Sequence, residues 1–199
     1  MSGTDGEIYA KAVETLRRGG TILYPTDTVW GIGCDASDPE AVAKVFAMKK
    51  RPDSKSLVLL ASDMDMICRY IREIPEIAVQ LAEISDTPLT IIYPGAISSD
   101  TKDTHTLASS AVAEDGSVGI RIPVTEFCRN LVRRFGRPIV STSANVSGEP
   151  APKKYSEIKE EIAGAVDYVF EPSFEKYSTG KPSSIIKIGT DSSVEIIRK

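Results

Sequence analysis

The chain is poor in the residues that hold metals. One histidine, His105, and three cysteines, Cys34, Cys68 and Cys128, are spread over 199 residues. No Cys-x-x-Cys pair occurs and the cysteine count is odd, which argues against both a zinc site and a disulfide framework. These read as reduced, mostly buried thiols of a cytoplasmic protein. Positive charge is not in excess: 24 Lys and Arg stand against 28 Asp and Glu, a formal net charge of −4. That argues against nonspecific wrapping of nucleic acid and leaves room only for a local basic patch. No apolar run approaches the roughly 20 residues that span a bilayer, and the N-terminus lacks the charged-then-apolar order of a secretory signal. Two nucleotide signatures fail as well. "TGKPSS" at 179–184 has Glu175 where a phosphate loop needs glycine and Pro182 where it needs a hydroxyl, and no G-x-G-x-x-G follows a strand.

What is present is an alternation of helix and strand in one domain with 41% hydrophobic residues, enough for a full core. Residues 7–18 read as a helix stopped by Gly19 and Gly20, with Ile8, Ala12, Val13 and Leu16 on one face. Asp38 and Pro39 are an N-cap and first-turn pair opening a helix through Lys50, which Pro52 ends. Further helices are predicted over 63–72, 75–84 and 125–135, and Ser156 is expected to cap a short one. Strands are predicted at 21–24, 57–61, 88–93, 118–122, 138–142, 166–170, 183–188 and 194–198. The close spacing of the last strands points to a mixed sheet. The polar segments 95–116 and 171–182 are long for plain connections and fit active-site loops.

One stretch, "GGTILYPTDTVWGIGCD", interrupts a buried strand with Pro25, Thr26, Asp27 and Thr28, then returns to apolar residues. A plain turn would place Gly or Asn at its tip. Here Gly31 and Gly33 come later, inside the second apolar run, where a missing Cβ allows close approach of backbone or ligand.

Three other segments carry candidate chemistry. "FAMKKRPDSK" gathers Lys49, Lys50, Arg51 and Lys55 at a helix end. Such cations cap carbonyls for about 0.3–1 kcal/mol each, or clamp a polyphosphate with Arg as a planar fork and Lys as a point charge. "IVSTSANVSGEP" runs a strand into Ser141, Thr142, Ser143, Asn145, Ser147 and Gly148. These are capping hydroxyls, or neutral donors at the end of a sheet strand where α/β folds hold ligands. They form no G-x-S-x-G elbow, and His105 sits in a polar loop as a surface residue. The helix near 125–135 carries Arg129, Arg133 and Arg134, with Arg137 just beyond. This is a solvated face, or an RNA contact.

Taken in order, "YPTDTVWGIGCDA", "KKRPDSKSLVLLA", "SVGIRIP", "STSANVSGEP" and "PSSIIKI" resemble the YrdC family, the threonylcarbamoyl-AMP synthase domain also grouped as Sua/YciO/YrdC-type translation factors. The resemblance runs from about residue 6 to 199 and implies a single YrdC-like domain without the extra C-terminal domain of longer members. It implies an open, twisted, mixed α/β sheet around a positively charged cavity. It implies a nucleotidyltransferase that joins L-threonine, bicarbonate and ATP, with Mg²⁺ accompanying the ATP, into threonylcarbamoyl-AMP and pyrophosphate. A separate transferase complex would then modify tRNA, and some members are described as RNA-binding. The K-x-R motif falls on Lys49 and Arg51, the expected catalytic pair. Arg51, Lys55, Ser117, Ser143, Asn145 and Arg198 match ATP contacts. Thr28, Arg121, Ser141 and Ser183 match threonine contacts. No protein metal site is implied. The chain departs from the family pattern in several places. Leu60 stands where many members have a hydrogen-bonding His, "SDTPLT" replaces W-P-G-P-L-T at 85–90, Ser56 and Ser184 replace Pro and Thr, and "PAPK" replaces P-S-P-T at 150–153. A YciO-like paralogue, or an RNA-binding module using the same cavity, is the alternative reading.

Overall fold

The computed structural model describes residues 5–50 and 57–199. Its frame is a nine-stranded mixed sheet accompanied by six α-helices among the described residues. The strands are β1 (Ile22–Pro25), β2 (Trp30–Gly33), β3 (Val58–Leu60), β4 (Leu89–Tyr93), β5 (Ser98–Ser99), β6 (Leu107–Ala108), β7 (Val118–Arg121), β8 (Ile139–Ser143), β9 (Tyr168–Val169), β10 (Ser184–Ile188) and β11 (Val194–Arg198). The helices are α1 (Asp5–Arg17), α2 (Pro39–Lys49), α3 (Met64–Cys68), α4 (Glu76–Ile84), α5 (Glu126–Phe135) and α6 (Glu160–Ala163). The large sheet runs β11-β10-β4-β7-β3-β8-β2-β1-β9, while β5 and β6 pair separately. Three pairs are parallel (β9 with β1, β3 with β7, β4 with β10) and the other five antiparallel, so the expected mixed sheet is present.

Local chemistry explains most boundaries. Asp38 caps α2 as expected, accepting from the amides of Glu40 and Ala41 with Pro39 in the first turn. The helix ends at Lys50 in a left-handed conformation, φ 49°; Pro52 lies outside the described residues. Gly136, φ 84°, closes α5 and its amide reaches the Val132 carbonyl. Leu59 and Leu60 of β3 are wholly buried, as a strand covered on both faces requires.

Three expectations need correction. The helix expected over 63–72 is one short helix, α3, capped by Asp63, whose carboxylate accepts from Met66. The strand expected over 166–170 shrinks to two residues held against β1. Ser156 caps nothing: it lies inside a 3-10 turn at 155–157, and α6 begins after Lys159 with no side-chain cap.

The sheet has two distinct faces. Along β7, Gly119 and Arg121 point one way and Val118 and Ile120 the other. On the Ile120 side, α3, α4 and α5 border a groove of about 440 Å³ with an apolar floor of Leu89, Ile91 and Tyr93 and a polar rim that includes Asp63, Glu83 and Arg133. At the β1 end, α1 packs on α5 through Tyr9 and Phe127, and Phe127 stacks on Phe174 and meets Phe170 edge-on. The Arg121 side carries the candidate site.

Candidate active site

The interrupted strand is a hairpin. Pro25 of β1 pairs with Trp30 of β2, and residues 26–29 form the connection. Thr26 supplies the turn chemistry that glycine would otherwise supply. Its amide and hydroxyl both donate to the Val29 carbonyl, and its Oγ1 accepts from the Thr28 amide. Gly33 is needed for packing: a Cβ there would lie 2.7 Å from Tyr24 Cε1 and 2.9 Å from the Val140 carbonyl. Gly31 borders the cavity, where a Cβ would lie 3.3 Å from the Thr142 carbonyl and 3.6 Å from Ser141 Oγ.

Behind the turn, Asp27 is wholly buried, and it was missed by sequence reasoning. Its Oδ1 pairs with Arg121 Nη2 at 3.1 Å, and its Oδ2 accepts from the Val124 amide. Arg121 Nη1 donates to Thr28 Oγ1 at 3.2 Å, which in turn shares a hydrogen bond with Thr26 Oγ1 at 2.8 Å. The guanidinium is thus held from two sides. Removing one partner of such a buried pair typically costs about 3–5 kcal/mol, because the other charge is left uncompensated. A strap from the 171–182 segment binds the same turn. The Ser178 hydroxyl donates to the Thr26 carbonyl, the Thr179 amide and hydroxyl to that of Asp27, and the Gly180 amide to that of Thr28.

These elements wall a cavity of about 410 Å³ lined by Thr28, Arg121, Ser141, Ser143, Ser183 and Arg198, together with Thr26, Gly31, Val58, Lys153, Gly180 and others. Six of the expected site residues are therefore brought together. The Ser183 hydroxyl is paired with Thr90 Oγ1 at 2.8 Å, adding Thr90 as a second residue that sequence reasoning missed. Arg198 Nε donates to the Ser183 carbonyl. Burial, then the nearby charge of Arg121, lowers the Arg198 pKa. No carboxylate lines the cavity among the described residues, so it is positively charged, as expected.

The other expected residues lie elsewhere. Lys49 is buried beneath the S-x-N loop, and its ammonium donates to the carbonyls of Ser143 (2.6 Å) and Asn145 (2.8 Å). Asn145 Nδ2 donates to the carbonyls of Val146 and Glu149. Neither lines the cavity; both hold the loop that presents Ser143. Ser117 is on the Arg121 face of β7, but its hydroxyl and amide donate to Asp115 Oδ1. Arg51 and Lys55 lie outside the described residues. Leu60 is buried and does not wall the cavity.

Other candidates are structural. Arg137 forms an ion pair with buried Asp35 at 3.0 Å, Arg134 lies over the Tyr9 ring, Arg129 pairs with Glu126, and Arg133 donates to Asn130. His105 is exposed. Burial, with Asp27 adding to it, pushes the Cys128 thiol up to about 12, so it is no thiolate nucleophile. Among the described residues, no group of three acidic, His or Cys side chains could hold a metal ion, and no helix is long and apolar enough to cross a membrane.

A mixed α/β sheet with a cationic, hydroxyl-lined cavity on one face defines a domain suited to binding and aligning anionic ligands. The chain belongs to the Sua5/YciO/YrdC family: residues 14–199 match the family model described as telomere recombination. It is 34% identical over 157 residues to the threonylcarbamoyl-AMP synthase of Chromohalobacter salexigens, covering 79% of this chain and 81% of that one. The Vibrio campbellii synthase is 31% identical, with coverages of 89% and 92%. Among solved structures, P. abyssi Sua5 complexed with L-threonine superposes with a TM-score of 0.76 at 26% identity, over 94% of this chain and 52% of that one. The chain thus spans about half the length of that protein. E. coli YciO superposes with a TM-score of 0.77 at 25% identity, over 100% and 91%.

Proposed function

We propose that this protein is an L-threonylcarbamoyladenylate synthase, a nucleotidyltransferase that makes threonylcarbamoyl-AMP and pyrophosphate from L-threonine, bicarbonate and ATP. The carrying observation is the convergence of Thr28, Arg121, Ser141, Ser143, Ser183 and Arg198 on one cationic cavity, in a chain whose relatives bear that name. The complex of P. abyssi Sua5 with L-threonine supports the amino-acid half of the reading.

The chemistry needs no protein nucleophile. The threonine amine condenses with bicarbonate, losing water, to give a carbamate. A carbamate oxygen then attacks the α-phosphorus of ATP, and pyrophosphate leaves. The site must align two anions and offset the charge that builds as they react. Arg121, fixed by Asp27, offers a planar fork to the threonine carboxylate. Thr28, Ser141 and Ser183 offer hydroxyls to the amino acid, and Arg198 and Ser143 face the nucleotide. Arg51 and Lys55 add phosphate contacts. Lys49 and Asn145 act by setting the Ser143 loop. ATP enters as its Mg²⁺ complex, the metal travelling with the substrate phosphates. The product passes to a tRNA-modifying transferase. The arginines expected as an RNA contact each have an intramolecular partner, which favours synthesis over direct RNA binding.

The test is pyrophosphate release measured with and without L-threonine and bicarbonate. We expect turnover that needs both. Turnover indifferent to threonine across a millimolar range would overturn the assignment.

A further inference from the structure

The cavity holds more positive charge than the family motifs account for. Arg121 is neutralised within the protein by Asp27, and the Lys49 ammonium is taken up by backbone carbonyls outside the cavity. Two lining cations remain. The Arg198 guanidinium hydrogen-bonds, among the described residues, to the Ser183 carbonyl alone. Lys153, in the "PAPK" segment, has its backbone amide on Glu157, while its side chain carries no ion pair or hydrogen bond to any described residue. The Lys153 stem is nonetheless positioned. It crosses Gly180 of the strap, where a Cβ would lie 3.7–3.8 Å from its Cβ, Cγ and Cδ, an ordinary packing distance. Two segments distant in sequence therefore meet at the cavity wall, one of them carrying Lys153. The surroundings favour an anion: no lining residue is acidic, and Arg121 already depresses the Arg198 pKa after burial. A bound polyanion relieves that repulsion, whereas an amino-acid carboxylate already has Arg121.

We propose that Lys153, which stands where the family pattern P-S-P-T has threonine, is a nucleotide-binding residue, placing its ammonium with Arg198 against the phosphates of ATP and leaving the amino-acid end of the cavity untouched. This rests on the reading of the cavity as an ATP and threonine site.

The experiment is isothermal titration calorimetry with Mg²⁺–ATP and, separately, with L-threonine, on the wild type, Lys153→Met and Lys153→Arg. Methionine keeps an unbranched stem over Gly180 and removes only the charge. Since Lys153 is exposed, the thermal midpoint should hold in both variants. ATP affinity is expected to fall about five- to twentyfold in Lys153→Met, the range for losing one charge-assisted contact at a partly open site. Lys153→Arg should recover most of it, and L-threonine affinity should stay within about twofold, the latter being what separates a local phosphate contact from general damage. The ATP affinity of Lys153→Met should also vary less with salt than that of the wild type, because one counter-charge is gone. Unchanged ATP affinity in Lys153→Met, or an equal loss for threonine, overturns the proposal while the functional reading stands. A wild type that binds neither ligand overturns both.

Discussion

Gly31 and Gly33 lie two residues apart in β2, and neither has a positive φ, so turn geometry explains neither. Neighbours separate them. Gly33→Ala drives a methyl into the Tyr24 ring and the Val140 carbonyl; such overpacking should cost about 1–3 kcal/mol, read as a lowered denaturation midpoint. Gly31→Ala meets its neighbours at 3.3–3.6 Å, so stability should change less while the methyl narrows the cavity beside Ser141. Threonine affinity should fall in Gly31→Ala with the midpoint near wild type. A matched loss of stability in both variants would show that Gly31 serves packing alone. Individual residues were legible where type and motif agreed, as for Thr28, Arg121 and Ser183. Asp27 was not, because a carboxylate in a turn looks like any exposed acid until the fold buries it against Arg121. Lys49 shows the converse: its charge was evident, but not that two carbonyls of a loop some hundred residues later would receive it.

At the scale of elements, the helices with local punctuation were the readable ones. Asp38 and Pro39 open α2, and Gly136 closes α5. The Asp38 cap can be separated from its charge. Asp38→Ala removes acceptors for two amides and the ion pair with Lys102, and should destabilise by about 1–2 kcal/mol. Asp38→Asn keeps an acceptor oxygen and loses only the pair to a half-exposed lysine, so under about 1 kcal/mol is expected. Equal losses in denaturant titrations would assign the stability to the ion pair instead. Elements held by tertiary contact were hard to read. β9 exists as two residues because β1 is beside it, and the 155–157 turn is tied by Glu175, which accepts from the Tyr155 amide and the Trp30 indole. Likewise the strap is a polar loop in sequence, and its role becomes visible only once its donors reach the 26–28 carbonyls.

For the whole molecule, several carboxyls are held below their ordinary range, which sets the acid limit of stability. Lys187 and then Ser117 lower Asp115 to about 2. Burial opposes ionisation of Asp38, but Lys102 and the Ala41 amide outweigh it. The Tyr155 amide and the Trp30 indole lower Glu175. A depressed folded-state pKa contributes stability that is fully present above the unfolded value, near 3.9 for Asp, and is lost as pH falls through the folded one. Wild type should therefore exceed Asp115→Asn in stability at pH 6, with the gap closing as pH falls from about 4 toward 2. A constant gap across that range would remove the ionised carboxylate as its source. The alternation of strand and helix and the mixed sheet were legible at this scale, because hydrophobic period and turn residues are local signals. Strand order was not, since it depends on pairings such as β10 with β4 that no short window contains. The same order bears on how the protein comes into being. The β1–β2 hairpin that carries Thr28 comes early in the chain. Arg121 arrives only with β7, Ser183 immediately precedes β10, and Arg198 is the last residue of β11. The cavity is therefore complete only once β10 and β11 have joined the sheet, so binding is a property of the assembled sheet and of no partial one.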